Sequence, residues 1–408
     1  MSRPQAGKKS IFLSILLAFF LYASFVFAAP TEGPRYFIKT TNPFWHKSFG
    51  VRHNFDNGFT ADLSGIQLTL AKIFGVEVEP VEQLHVLPEA VTESTKPDGI
   101  TAKPSKTTSI RVVPSNQTPW GIETIYNDSA IASTSGGGGV NVAVLDTGVL
   151  KTHPDLKNRV KQCKDFTNLR VPVKDGVCDD KHGHGTHVSG IILADAGADK
   201  LGVYGVAPEA GLFSYKVCGN DGSCWADDIA IAIKTAANNN ANIINLSLGA
   251  NSDNSLIRNA IDYAVPKDVL VVAAGGNDGP DPASIDYPAA NFKVVGVGAI
   301  DVSILVPDWS SRGINSSTSF YIVEERDMEF GAPGVNVEST WKNGGYAILS
   351  GTSMASPHIA GLAAKLWQAT VLEGTKAQAT RDLLHQLAKD IWTAGDDDAT
   401  GFGLPQVK

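Results

Sequence analysis

From Gly139 onward the chain alternates uninterrupted apolar runs with stretches of helical period. Val140–Leu145, Leu212–Val217, Ile243–Leu248, Val269–Ala274 and Val294–Ala299 are each six residues long and bounded by Gly, Asn, Asp or Pro. Runs without polar alternation predict strands buried on both faces. Asp227–Asn238 and Asp253–Val265 lie between them and carry a helical pattern. Strand, helix, strand in succession predicts an α/β fold: a mostly parallel sheet with helices on both faces. Upstream, residues 29–92 read as a small α+β unit of their own. Tyr36–Lys39, preceded by Arg35, is a strand; Ser64–Ile73 is a helix with a Ser cap; Val76–Glu79 is a second strand. Residues 88–118 are rich in Pro, Ser, Thr and Lys without apolar periodicity, so 93–114 is expected to be a linker, the kind of segment proteases cut. The main domain is then 115–408, and no internal repeat is visible.

The N-terminus changes the setting. Lys8 and Lys9 precede an apolar run from Ile11 to Phe27, and Val26-Phe27-Ala28 fits a small-x-small cleavage site in part. Residues 1–28 are expected to be a signal peptide, with a retained anchor as the alternative. Either way the remaining chain is exported. Across 408 residues the net charge is −8 and basic residues form no cluster, which excludes a nucleic-acid partner. In an oxidising compartment the four cysteines are disulfides before they are metal ligands. They allow three pairings. Their spacing into two local couples favours Cys163–Cys178 and Cys218–Cys224, the first bracing the loop that leads to His184.

Three segments carry chemistry: Val144-Leu145-Asp146-Thr147-Gly148, His182-Gly183-His184-Gly185-Thr186-His187-Val188 and Gly351-Thr352-Ser353-Met354-Ala355-Ser356-Pro357. Amide hydrolysis needs a nucleophile, a base to activate it and a carboxylate to orient the base. Asp146 ends a buried strand, at the sheet edge where active sites of such folds gather. Asp-Thr-Gly also serves aspartic proteases, but those need a second such triplet, and the sequence has none. His184 opens a helix whose Gly185 and Gly190 permit close approach to the sheet; His182 and His187 compete for the base role. Ser353 enters a helix, where unpaired N–H groups and a positive dipole end are available. The Gly-x-Ser-x-Gly of lipases and esterases is absent, since position 355 is Ala.

Together these motifs resemble the subtilisin-like serine proteases, whose triad runs Asp…His…Ser, over roughly residues 115–408. The resemblance implies a secreted serine endopeptidase made as a zymogen, with Asp146, His184 and Ser353 as triad. Asn277, in Ala273–Gly279, would complete the oxyanion hole, with Gly275 where the family usually has Ala. Ser247-Leu248-Gly249 resembles the edge that pairs with extended substrate. Ile285–Ala289 resembles the floor of the first specificity pocket, where Asp286 replaces a common Gly and would favour Arg or Lys. Arg111 then offers a self-cleavage point, and Trp225 is expected either to wall an outer pocket or simply to pack. His153-Pro154-Asp155-Leu156 resembles a calcium segment; Asp155, Asp199, the Leu201 and Val203 carbonyls and Gln117 are the expected donors for Ca²⁺. Residues 29–92 resemble an inhibitory propeptide, with an accessory domain as the alternative. Expected partners are protein or peptide substrates and the chain's own propeptide; a monomer is expected, with no membrane contact after signal cleavage. The rivals are a non-catalytic binding member of the family and an esterase with the same triad.

Overall fold

A computed structural model describes residues 34–87, 110–169, 171–315, 322–367 and 374–407. The expected signal peptide and most of the expected linker lie outside these residues. No helix among the described residues is long and apolar enough to cross a membrane. The chain divides into two compact units, one reaching Val81 and including Asn168–Pro172, the other holding the rest.

In the first unit, strands β1 (Arg35–Ile38), β2 (His53–Phe55), β3 (Gly58–Asp62) and β4 (Val78–Pro80) form an antiparallel sheet ordered β2-β3-β1-β4. Ile38, Trp45, Phe49, Phe59, Leu63 and Ala71 make its core. The Gly65–Ile73 helix starts at Ser64, whose side chain caps Gln67 N while the Gln67 side chain returns to Ser64 N. The strand expected at Val76 begins two residues later, because Val76 N bonds back to Ala71 O and still belongs to the helix terminus. The β2–β3 hairpin and the Pro43–Phe49 helix escaped the sequence reading. Gly58 is required there: a Cβ would stand 2.2 Å from Ile38 O.

The second unit opens with β5 (Gln83–Val86) and β6 (Ile110–Arg111). Its sheet strands include β7 (Asn141–Asp146), β8 (Val160–Asp165), β9 (Lys174–Asp175) and β10 (Gly211–Lys216). After β11 (Ser223–Trp225) come β12 (Ile243–Leu246), β13 (Leu248–Gly249) and β14 (Leu270–Ala274). β15 (Val295–Ile300), β16 (Phe330–Pro333), β17 (Val337–Thr340) and β18 (Tyr346–Leu349) follow. The main sheet runs β16-β15-β14-β12-β7-β10-β8-β9, parallel throughout except for the β9 edge. Helix His184–Leu193 packs on helix Thr352–Lys365 over one face; Ala226–Asn238 packs with Ser255–Ala264 over the other. The five expected strands and both expected helices are present, their ends moved by one or two residues. The largest shift has a cause. β12 stops at Leu246 because the chain leaves the sheet there, and Leu248–Gly249 pairs with β5 instead.

Two small sheets amend the sequence reading. β5 lies antiparallel between β11 and β13. β6 pairs with β18, so Arg111 belongs to a sheet (Tyr346↔Arg111) and the expected linker is shorter than 93–114. Arg111 also faces Glu338 across 3.7 Å.

Candidate active site

Asp146 is the last residue of β7, fully buried, and its two carboxylate oxygens each lie 2.9 Å from His184 Nδ1. Oδ1 also accepts from Thr147 N. A carboxylate so placed holds the ring in the Nδ1–H tautomer and presents Nε2 as the base. The approach depends on Gly185, where a Cβ would stand 2.3 Å from Gly148 O and 3.0 Å from Asp146 Oδ1. Gly190 does the same further along, against the Ser339 and Thr340 hydroxyls. His187 takes no part: its Nε2 meets the Val337 and Ala347 carbonyls, and burial pushes its pKa down to about 3. His182 is lowered by burial and then by His184 beside it.

Ser353 sits in the first turn of its helix, behind Gly351 and Thr352. Its Oγ donates to Ser247 O at 3.1 Å, while Ser247 Oγ donates to Ser353 O at 2.9 Å. The hydroxyl is thus held at the point where β12 gives way to β13. Hydrogen bonds between catalytic groups often tighten only with substrate present. Asn277 Oδ1 accepts from Thr352 N and Thr352 Oγ1, both at 3.0 Å, which fixes the amide orientation. Its Nδ2 faces the turn at Gly351, where a Cβ would stand 3.3 Å from Nδ2 and 3.7 Å from Ser353 N. Two N–H donors therefore converge on one side of the hydroxyl, the arrangement that stabilises a developing oxyanion.

Sequence reasoning missed Asp180. Buried at the end of the Cys163–Cys178 loop, its Oδ1 accepts from His182 N, Gly183 N and Thr147 Oγ1, and its Oδ2 from Thr186 N and Oγ1. One carboxylate thereby fixes the strand end carrying Asp146 and the turn carrying His184. The available signal was an Asp four residues before His184 with two threonines nearby. Asp180→Ala should lower kcat about a hundredfold with KM little changed, because small misplacements of catalytic groups cost that much. Steady-state kinetics checks this, and Asp180→Asn should recover part of the loss if the role is positional. Both expected disulfides are present, Cys163–Cys178 and Cys218–Cys224.

Leu248 and Gly249 are already paired: β5 places Val86 opposite Leu248 and His85 opposite Gly249. On its other edge β5 meets Ser223–Trp225, with Val86 N also bonded to Gly222 O. Leu84 is buried in a pocket lined by Ile257, Ile261, Tyr287 and Pro288. Trp225 flanks this strand opposite Gln83. Asp286 is buried beside Gly249 and Gly276, and burial first, then Asp278, pushes its pKa up to about 7.

The expected calcium donors are only partly assembled. Asp155 Oδ1 and Asp199 Oδ1 face the same space at Gly197, where a Cβ would stand 3.2 and 3.3 Å from them. Oxygen donors around such a cradle suit a hard cation. Leu201 contributes its N–H to Asp199 Oδ1. The Val203 carbonyl already accepts from Ala196 N, and Gln117 turns its amide nitrogen to Lys200 O. Asp195, in the same loop, was not anticipated; it pairs with Arg159 at 3.0 Å.

This fold and cleft define a serine endopeptidase. The family profile of the subtilases matches residues 137–403, and the chain belongs to that family. A subtilisin of Bacillus sp. strain TA39 is 44% identical over 380 residues, covering 89% of this chain and 87% of that protein. Subtilisin Savinase of Lederbergia lenta is 40% identical over 250 residues, 61% of this chain and 84% of its own. Among solved structures, the S41 psychrophilic protease is 50% identical with a TM-score of 0.68, covering 72% of this chain and 99% of that one. Sphericase is 46% identical with a TM-score of 0.69, covering 73% and 100%.

Proposed function

We propose that this protease is made as a secreted zymogen and cleaves peptide bonds through Asp146, His184 and Ser353. Ser353 Oγ leaves the Ser247 carbonyl and attacks the scissile carbon while His184 Nε2 takes its proton. Asp146 holds Nδ1–H and stabilises the imidazolium. Asn277 Nδ2 and Ser353 N–H receive the oxyanion. His184 then protonates the departing amine, and water, activated by the same His184, releases the acyl group from Ser353. Nothing in this geometry favours an esterase or a non-catalytic binding role.

The observation that carries the zymogen reading is the pairing of Gln83–Val86 with Leu248–Gly249, directly beside the residue that holds Ser353. Substrate adds to such an edge as a strand, so the chain's own segment occupies the place of substrate. Residues 29–92 then act as the inhibitory prodomain. The bond after Leu87 leads to Pro88, whose nitrogen sits in a tertiary amide. Arg111 is engaged in β6. The maturation cut accordingly falls between residues 88 and 110. Mass spectrometry of the purified full-length chain during incubation tests this: peptide hydrolysis should appear together with that cut. Full hydrolytic activity in an uncut chain would overturn it.

Calcium belongs to the same proposal. Asp155 and Asp199, with the backbone of the Leu201–Val203 turn, would hold the ion, which supplies a cross-link within the loop. Saturating calcium should raise the unfolding midpoint by roughly 10 °C over a chelated sample. Scanning calorimetry checks this, and Asp155→Asn should abolish the difference.

A further inference from the structure

Both walls beside the nucleophile lead to one buried carboxylate. On the first wall, Ser247 O holds Ser353 Oγ, and two residues on, a Cβ at Gly249 would stand 2.9 Å from Asp286 Oδ2. On the second, Asn277 meets Thr352, and one residue back, a Cβ at Gly276 would stand 2.9 Å from the same oxygen. Two residues of extended chain span no more than about 7 Å, so the carboxylate lies within a side chain's length of the reacting centre. Asp286 is 2% exposed. Its backbone is engaged, N to Gly275 O and O from Ala290 N, but Oδ1 has no hydrogen-bond partner among the described residues.

The charged groups around it do not compensate. Asp278 is of like sign. Arg312 donates to Ser310 O and Arg326 to Ala283 O, while the Tyr287 hydroxyl interacts with Glu325. An isolated carboxylate in a dry site either takes up a proton or waits for a cation.

We propose that Asp286 is the specificity-determining residue of this protease: ionised, it receives the cationic end of a lysine or arginine on the acyl side of the cleaved bond, and neutral, it leaves the pocket to apolar residues. The inference rests on Ser353 being the nucleophile. A lysine ammonium at the end of its four-carbon stem reaches a floor that a leucine does not. The chain's own segment suits the neutral state: the residue following Val86 is Leu87, buried and apolar. Because the carboxyl titrates near 7, it is neutral below that pH and ionised above it, and basic preference rises with pH.

The test uses two anilides, Leu-His-Val-Leu, which repeats residues 84–87, and Leu-His-Val-Lys, with the mature enzyme and Asp286→Asn at pH 5.5 and 8.5. The ratio of kcat/KM for Lys over Leu cancels the titration of His184, which both substrates share. The ratio in the wild type is expected to rise at least tenfold with pH. In Asp286→Asn it should stay flat and lie at least tenfold lower at pH 8.5. A flat wild-type ratio overturns the proposal, including the case in which the variant fails to fold. A pH-dependent ratio that survives in the variant overturns it too. If neither anilide is cut, fluorophosphonate labelling of wild type separates the failures. An unlabelled Ser353 removes the nucleophile assignment and this proposal with it; a labelled one removes Asp286 alone.

Discussion

Ser353→Ala should leave a folded chain that hydrolyses peptides about a millionfold more slowly and persists at full length. Loss of the nucleophile or base in subtilisin, a relative with this triad, costs about 10⁶ in kcat, and that known figure is carried over here. The physical reason is that the members act as one unit. His184 has no proton to take once the hydroxyl is gone, and Asp146 orients an idle base. Substitution should perturb the fold little, because Ser353 Oγ makes a single bond, to Ser247 O. His184→Ala should give a similar loss, and the double variant should lose little more than either. A protease-free preparation assayed by peptide hydrolysis and intact mass checks all three. If Ser353→Ala alone still matured, the cut would have to come from another enzyme.

Asn277→Ala should reduce kcat by about 10²–10³ while KM changes little. That range too is known from the corresponding change in subtilisin. The amide is oriented by Thr352, which donates to Oδ1 twice. Asn277→Asp would place a carboxylate where negative charge develops, and it should be worse than Asn277→Ala. Asn277→Leu fills similar volume without a donor, and it should match Asn277→Ala if hydrogen bonding is the cause. Pre-steady-state kinetics should show slower acylation, because the donor acts on the tetrahedral state and not on bound substrate.

The main sheet was legible because its strands are buried on both faces and appear as unbroken apolar runs. Asp146, His184 and Ser353 were legible because each lies in a motif whose glycines have a steric purpose, as Gly185 and Gly190 show. What escaped detection depends on partners distant in sequence. Gln83–Val86 has an ordinary alternating pattern, and only its pairing with Ser223–Trp225 and Leu248–Gly249 gives it meaning. Ile110–Arg111 is too short to register as a strand without β18 beside it. Asp180 looked like one more acidic loop residue because its five hydrogen bonds go to backbone and hydroxyl groups that carry no sequence signature. The calcium donors were inferred as a set, but backbone geometry disposes of the Val203 carbonyl and Gln117 amide differently.

The strand in the groove is part of the chain it obstructs, and that makes concentration the controlling variable. A short tether holds its ligand at an effective concentration on the order of millimolar. A segment with an intrinsic dissociation constant of about 10 μM would then fill the groove about 99% of the time. Once the chain is cut beyond Leu87, the same contacts must be made between separate molecules. At nanomolar protein the identical strand would occupy well under about 1% of grooves. Activation therefore requires no change in the cleft, only dilution, and a freshly cut sample should gain activity per molecule as it is diluted.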